Sequence, residues 1–220
     1  MNVLTRPSKK QDFLQMFDGK NCTDFKNLKQ EIRAEYCNFL ESMCILEINK
    51  QGVFRKIKQS TEKEDRKNKI DGYVLTYEGR EKKFQFKVKL PSENDQEKSN
   101  KLVFEICKNI TDEEQNNSTF DFNGRDYVSE AHVYIGLSSD FKKISFYDYN
   151  NIKETAVKYT KIMLESGKKI ISGDFGCVRF TTENIKGKMY YKIMYFANKN
   201  YFKKIYKDIR FDITKVSKEI

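Results

Sequence analysis

The stretch IDGYVLTYEGREKKFQFKVKL, residues 70–90, is the part of the chain that decides its fold. The second half of this stretch alternates polar and apolar side chains, and its apolar positions are Phe84, Phe86, Val88 and Leu90. A period of two is typical of a β-strand that buries one face. Residues 70–77 predict a partner strand, and Gly79 in the turn between the two strands predicts a hairpin.

Upstream of the hairpin, the sequence predicts one amphipathic helix and one further strand. Residues 24–43 carry apolar side chains at helical spacing, and Thr23 or Asp24 can cap the helix. Residues 53–60 predict the strand, and the charged run at 61–69 predicts a solvated loop. The chain therefore begins with a helix followed by three strands.

Downstream of the hairpin, the polar stretches at 91–101 and 111–126 predict loops or an insertion. The rest of the chain predicts alternating strands and helices. In chain order these are strands at 129–139 and 142–149, a helix at 150–166, strands at 168–180 and 186–197, and a short helix around 200–209. This order predicts a mixed α/β fold.

The chain of 220 residues carries 42 Lys and Arg against 32 Asp and Glu, which gives a formal net charge of +10. Its hydrophobic fraction of 38% includes 17 Phe and 13 Tyr, enough large apolar side chains to build a core and to exclude a globally disordered chain. A basic surface attracts polyphosphates, so nucleic acid is the first expected partner. The alternative is that the charge is solvated and serves solubility.

The C-terminal part of the chain interleaves aromatic and basic side chains, a composition that can stack bases and hold phosphates. The candidate nucleic-acid contacts are Lys188, Lys192, Lys199, Lys203, Lys204 and Lys207. The alternative is that the Tyr and Phe side chains of this segment build a core while the lysines stay outside.

Several classes of protein are excluded by what the sequence lacks. No apolar run approaches the roughly 18 residues of a membrane helix, and residues 1–17 lack the apolar run of a signal peptide. We therefore expect no membrane partner and an intracellular location, cytoplasmic or nuclear. The five cysteines form no CxxC pair, which predicts reduced thiols and no zinc site. His132 is the only histidine, and no GxSxG or GxxxxGK[ST] motif is present, so neither Ser-His hydrolysis nor nucleotide hydrolysis is supported.

Three polar residues of the hairpin are candidates for chemistry. Asp71 lies at the start of one strand, and Gln85 and Lys87 lie two residues apart on the next, so these two share a face. Pairing of the strands brings that face beside Asp71. The alternatives are that Gln85 and Lys87 belong to the wet face of an ordinary strand, and that Asp71 is a turn residue before Gly72.

This arrangement resembles the PD-(D/E)XK nuclease superfamily, whose core begins with a helix and three strands and carries Asp and then Glu-x-Lys on neighbouring strands. In this chain, Asp71 is followed, after thirteen intervening residues, by Gln85-Phe86-Lys87. The sequence departs from the family pattern at two positions, because Ile70 stands where proline is usual and Gln85 stands where an acidic residue is usual.

The resemblance implies a restriction-endonuclease-like fold, in which helices flank a mixed sheet. It places the nuclease-like core at about residues 23–166 of a single domain over 1–220, with a C-terminal strand and helix extension at 167–220. Enzymes of this superfamily that cut both strands often dimerise, so the resemblance also implies a homodimer.

The resemblance further implies a Mg²⁺ or Mn²⁺ cofactor, because phosphodiester hydrolysis requires a divalent ion that polarises the phosphate and acidifies a water. The implied metal ligands are Asp71, Gln85 and a glutamate of the first helix, which is Glu35, with Glu31 as the alternative. Lys87 would stabilise the charge that develops on the phosphate. The implied catalytic residues are therefore Lys87, Asp71 and Gln85.

We expect a metal-dependent endonuclease that hydrolyses phosphodiester bonds of DNA, with RNA as the alternative substrate. The main alternative function is a non-catalytic nucleic-acid-binding protein that retains the nuclease-like fold, because Gln85 removes one negative charge from the metal site. A protein-interaction or structural module with an incidental charge excess is the third hypothesis.

Overall fold

The computed structural model describes residues 30–88, 101–117, 121–138, 141–185 and 187–212. These residues form two sheets and several helices, which confirms the predicted mixed α/β class. The helices are α1 (Gln30–Lys50), α2 (Glu62–Asn68), α3 (Asp112–Asn117), α4 (Arg125–Val128) and α5 (Tyr149–Glu165), with a 3-10 turn at Lys199–Tyr201. The strands are β1 (Lys56–Gln59), β2 (Gly72–Leu75), β3 (Glu81–Val88), β4 (Lys101–Ile110), β5 (Val133–Leu137), β6 (Lys143–Asp148), β7 (Ile170–Gly173), β8 (Gly176–Ile185), β9 (Lys188–Asn198) and β10 (Lys204–Arg210).

The first sheet has six strands in the order β1-β2-β3-β5-β6-β10. Strands β1, β2 and β3 form an antiparallel meander, so the predicted hairpin of β2 and β3 is present. Strand β5 pairs with β3 in the parallel direction, whereas β6 and β10 join the sheet antiparallel. A parallel step needs a crossover connection, and here the chain between β3 and β5 carries β4, α3 and α4.

The second sheet is antiparallel, with the order β4-β9-β8-β7.

Two apolar clusters hold the sheets and helices together as layers. On one face of the first sheet, α1 packs Leu40 and Met43 into a cluster with Phe84 and Phe86. The opposite face packs against the second sheet and α5, in a cluster that includes Phe104, Tyr134, Tyr147, Ile152, Ile193 and Tyr195. The first sheet is therefore the middle of three layers.

Helix α1 extends further than the sequence predicted. It runs to Lys50, beyond the predicted end at Met43, because its apolar stripe continues through Cys44 and Ile48, which are both fully buried. The predicted start at residue 24 lies outside the described residues. Neither α1 nor any other helix in the described ranges is long and apolar enough to span a membrane.

The charged run at 61–69 is a helix, so the predicted loop is wrong. Thr61 and Glu64 form a reciprocal capping box at the start of α2, and Lys69 ends the helix in the left-handed conformation, with φ at 53°. None of the side chains of α2 is buried. The helix therefore lacks the apolar periodicity by which a sequence reveals one.

The predicted short helix around 200–209 is also wrong, because this segment contains strand β10 at the edge of the first sheet. The register of β10 with β6 shifts twice, between Lys204 and Tyr206 and between Tyr206 and Ile209. Such irregularities break the alternation of a strand. They leave Ile205 and Ile209 at a spacing of four, which imitates a helix.

Two further segments differ from the prediction. The predicted loop at 111–126 contains α3 and the first two residues of α4, and Thr111 caps α3 by accepting from the Glu114 N–H at 3.2 Å. The predicted single strand at 168–180 is a hairpin of β7 and β8, because the chain turns between Gly173 and Gly176.

Candidate active site

Asp71 is held between β1 and β3, immediately before the first residue of β2. Its N–H donates to the Phe84 carbonyl at 2.9 Å, and its own carbonyl accepts from the Ser60 N–H at 2.9 Å. Position 72, the next in the chain, requires glycine, because a Cβ there would lie 2.2 Å from the Lys58 carbonyl oxygen. The Asp-Gly pair therefore belongs to the sheet and is not a turn.

The Asp71 carboxylate accepts two hydrogen bonds. Oδ2 accepts from the Phe86 N–H at 2.6 Å, and Oδ1 accepts from the Arg125 guanidinium at 3.0 Å. Burial raises the pKa of Asp71, and the Phe86 N–H and the positive charges of Lys87 and Arg125 oppose that rise. The structure thus brings Asp71 and Lys87, from neighbouring strands, close enough to interact electrostatically.

Lys87 forms an ion pair with the buried carboxylate of Asp126, at the start of α4. Nζ lies 2.8 Å from Asp126 Oδ1, and the Asp126 side chain is only 4% exposed. This approach is electrostatic rather than directional, because Oδ1 has no hydrogen-bond donor suitably placed among the described residues. Oδ2 accepts from the Glu105 N–H at 2.7 Å. The pair therefore ties β3 to α4 and β4.

Gly124 sets the position of α4 against β4. Its N–H donates to the Ile106 carbonyl at 2.8 Å. A Cβ at this position would lie 2.4 Å from the Glu105 carbonyl oxygen, so any side chain would push α4 away. This close approach places Arg125 and Asp126 within ion-pair distance of Asp71 and Lys87, respectively.

Gln85 is fully buried, and both ends of its amide bond to the protein. Nε2 donates to the Lys69 carbonyl at 3.0 Å. Oε1 accepts from the Tyr149 hydroxyl, whose oxygen lies 3.2 Å away and also 2.8 Å from the Asp126 carbonyl oxygen. Burial raises the pKa of Tyr149, so this hydroxyl keeps its proton to donate. The hydrogen bonds of Gln85 therefore join β3 to Lys69 and Tyr149, so its role is structural.

The helix carboxyl group that interacts with Asp71 is that of Glu41, whose Oε1 accepts from Gln59 Nε2 at 3.5 Å, and Gln59 is the register partner of Gly72. Burial, together with the negative charges of Asp71 and Asp65, raises the pKa of Glu41 to about 8. Glu35 lies six residues earlier on α1, about 9 Å along the helix axis. The side chain of Glu31 lies outside the described residues. The spacing of the apolar residues does not indicate which of these glutamates faces Asp71. Glu41 lies near the middle of the helix because α1 continues past its predicted end.

Two of the six lysines predicted to contact nucleic acid are held in ion pairs. Lys192 lies between Glu105 and Glu183, with Nζ to oxygen distances of 3.1 and 2.8 Å. Lys204 pairs with Asp208 at 2.6 Å. These carboxylates neutralise part of the charge that the lysines would offer to a phosphate.

The other four predicted lysines are spread over both sheets. Lys188 begins β9 and Lys199 follows its end, so the two are about 36 Å apart at roughly 3.3 Å per residue. Lys203 and Lys207 are exposed, beside and on β10 of the first sheet. The six lysines therefore do not form one compact patch.

A cavity of about 350 Å³ lies between the two sheets, beside Asp126. Its walls come from β3 and β5 of the first sheet, from β4 and β9 of the second, and from α4. Lys87, Arg125 and Asp126 line it, whereas Asp71, Glu41 and Gln85 are not among the lining residues. Any chemistry at this site therefore has Lys87 at its wall and Gln85 behind it.

The carboxyl groups around the site outnumber the cations. Arg125 bridges Asp71 and Asp65, at 3.0 and 2.8 Å. The four carboxyl groups are those of Glu41, Asp65, Asp71 and Asp126, and the two cations are Lys87 and Arg125. In the described parts of the chain, no group of three or more His, Cys, Asp or Glu side chains is arranged to hold a metal ion.

Sequence reasoning missed Asp65, Arg125 and Asp126, because all three lie in segments that were predicted as loops. The pattern of Thr61 and Glu64, three residues apart, is a capping-box signal that could have indicated α2 and its Asp65. Helix α4 is four residues long and buries only Asp126, so no periodicity marks it.

Replacement of Glu41 by glutamine is expected to remove a pH-dependent loss of stability. The pKa of Glu41 is about 8 in the folded chain against an ordinary value of 4.5, so the folded state binds the extra proton and stability falls as the pH rises between these values. We expect Glu41→Gln to gain on the order of 3 kcal/mol over the wild type between pH 5 and pH 9, at about 1.36 kcal/mol per pKa unit. Urea unfolding across this range measures the gain.

The control for this measurement is Glu154→Gln on the exposed side of α5, which makes the same chemical change away from the site. It should follow the wild-type curve. A Glu41→Gln curve parallel to the wild type would show that Glu41 ionises normally.

Comparison of the chain with protein-family models, with curated proteins and with solved structures finds no match.

Proposed function

We propose that the chain is a metal-dependent nuclease that hydrolyses phosphodiester bonds of DNA, with a restriction-endonuclease-like fold. The observation that carries the proposal is the placing of Asp71 against β3, where its Oδ2 accepts from the Phe86 N–H at 2.6 Å and its charge interacts with those of Lys87 and of Glu41 on the first helix. The order of elements supports it, because α1 precedes the meander of β1, β2 and β3, and β5 then pairs parallel to β3.

The residues around Asp71 fit Mg²⁺ or Mn²⁺ with Asp71 and Glu41 as ligands. Each carboxylate oxygen has two lone pairs, so two hydrogen bonds leave Asp71 able to bind a cation. A divalent ion would offset the excess of negative charge that helps to keep Glu41 protonated. Mg²⁺ is commonly held by one or two carboxylates with several waters, so a closed cage of protein ligands is not needed. Gln85 does not fit as a ligand, since its side chain is fully buried and does not line the cavity.

When bound, the ion would polarise the phosphate and acidify a water. Lys87 lines the cavity and keeps donors beyond its contact with Asp126, because an ammonium group has three. Its charge would stabilise negative charge that develops on the phosphate oxygens in the transition state. The positive charge of Arg125 lowers the pKa of Asp71 and so offsets part of the rise that burial causes.

The alternative function is a non-catalytic nucleic-acid-binding protein of the same fold. The observation that favours it is the bonding of Gln85 and Asp71 within the protein, because Gln85 is fully buried with both ends of its amide hydrogen-bonded and Arg125 forms an ion pair with Asp71. The two functions differ in cleavage and agree in binding.

Incubation with circular single-stranded and circular double-stranded DNA, in Mg²⁺, in Mn²⁺ and in excess EDTA, tests the proposal. We expect cleavage of at least one circle that depends on the metal, since only an endonuclease opens a circle. Intact circles in both metals, with binding that falls steeply between 50 and 200 mM salt, would establish the non-catalytic protein instead.

A further inference from the structure

We propose that the cavity between the two sheets binds one nucleotide of a single-stranded nucleic acid. This inference deepens the proposed function and rests on it, because it names the form of substrate that the site accepts. It is carried by the size of the cavity, the charges on its wall and the apolar surface between them.

The size of the cavity fits one nucleotide and not a duplex. About 350 Å³ is near the lower end of the roughly 300–1,000 Å³ range of ligand pockets. It is the volume of a cube roughly 7 Å on a side, whereas the major groove of B-DNA alone is about 12 Å wide. An unpaired base can therefore enter this cavity, whereas a base pair is too large for it.

The charges on the wall favour an anion. The charged lining residues are the four cations Lys87, Lys101, Arg125 and Lys199 and the two carboxylates Glu105 and Asp126. Both carboxylates already have partners, because Asp126 pairs with Lys87 and Glu105 pairs with Lys192, which lies outside the lining. Arg125 is paired as well, with Asp65 and Asp71 outside the lining, so Lys101 and Lys199 are the lining cations that would meet a phosphate.

Lys101 and Lys199 form a pair at one end of the second sheet. Lys101 begins β4, and its partner in the register with β9 is Asn198, the residue before Lys199. Lys87 lies on the other wall, which the first sheet provides. A phosphate beside Lys101 and Lys199 would share the cavity with Lys87.

The surface between these walls is apolar. Val103 and Met194 line the cavity from the second sheet, and Leu137 lines it from the first. Such side chains suit the face of a nucleobase. Gly136 is the register partner of Lys87, and the absence of a side chain there leaves space beside the Lys87 chain. A Cβ at this position would make only ordinary contacts, the nearest at 3.4 Å, so the backbone accepts a side chain there.

The test measures binding of a fluorescent single-stranded oligonucleotide, and of its blunt duplex, in EDTA so that no cleavage occurs. We expect the wild type to prefer the single strand by about tenfold or more. Gly136→Val, which fills the cavity, and Lys101→Ala with Lys199→Ala, which removes two cations, should each lower single-strand affinity by about tenfold. The double variant should also reduce the slope of log affinity against log salt by about 1.4, or 0.7 for each phosphate that is no longer neutralised.

The matched control is Lys161→Ala with Lys168→Ala, which removes two exposed lysines on and after α5. It should change single-strand affinity by less than about twofold. Thermal unfolding shows whether Gly136→Val is folded, and the lysine variant provides an independent result if it is not. Thymidine 5′-monophosphate should displace the oligonucleotide, and thymidine at the same concentration should not.

Equal affinity for single strand and duplex, or unchanged single-strand binding by both cavity variants, would overturn the inference. If that result came with metal-dependent cleavage of circles, the proposed function would stand without it. If the cavity variants lost single-strand binding while the wild type cut no circle, the cavity assignment would stand and the nuclease proposal would fail.

Discussion

Replacement of Lys87 by methionine is expected to lower the rate of DNA cleavage by about 100-fold or more, while DNA affinity stays within about twofold. The reason is that the Lys87 ammonium group is already paired with Asp126, so it adds little to binding of the substrate, but it acts on charge that appears only in the transition state. Single-turnover cleavage and binding in EDTA measure the two quantities separately.

This substitution also affects stability, because it leaves the buried Asp126 carboxylate without its cation. We expect a loss of about 3 kcal/mol. The double variant Lys87→Met with Asp126→Asn should recover most of this loss, since a neutral amide can still accept from the Glu105 N–H. It should not recover cleavage.

The matched control is Lys83→Met, on the same strand, where the lysine pairs with the exposed Glu130. We expect it to cut at close to the wild-type rate. Equal losses of cleavage in Lys83→Met and Lys87→Met would mean that Lys87 acts only through net charge or stability.

Replacement of Gln85 by glutamate is expected to destabilise the protein by about 3 kcal/mol at pH 8, because it buries a carboxylate against the Lys69 carbonyl. A protonated glutamic acid could donate to Lys69 and accept from Tyr149 as the amide does, so the variant should approach wild-type stability near pH 4. The sign follows from linkage, because a folded-state pKa above the unfolded value makes stability fall as the pH rises.

Urea unfolding at pH 4 and pH 8 measures this effect, with Gln115→Glu on the half-exposed surface of α3 as the control. A variant that is as stable as the wild type at pH 8, and that cuts faster at low Mg²⁺, would show that position 85 can act as a metal ligand after all.

The hairpin of β2 and β3 could be predicted because its information is local. The alternation of Phe84 and Phe86 with Gln85 and Lys87 fixes which side chains share a face, and strand pairing then sets them beside Asp71. This geometry depends on residues fewer than twenty positions apart, and the structure has it.

The partners of these residues could not be predicted because they come from distant segments. Tyr149 reaches Gln85 across 64 positions of the chain, and Arg125 reaches Asp71 across 54. A polar position on a strand looks solvent-facing in the sequence, but here the second sheet and α5 cover that face and leave Gln85 with no exposure. Burial of this kind depends on tertiary packing, and no local pattern records it.

The measurement that tests the central claim most directly is the rate of opening of circular DNA as a function of Mg²⁺ concentration, for the wild type and for Asp71→Asn. Asparagine at position 71 can still accept from the Phe86 N–H, so the change mainly removes the charge of the metal carboxylate. We expect wild-type cleavage that saturates with Mg²⁺ and a fall of about 100-fold or more in Asp71→Asn. Wild-type cleavage that persists undiminished in Asp71→Asn would contradict the assignment of this site.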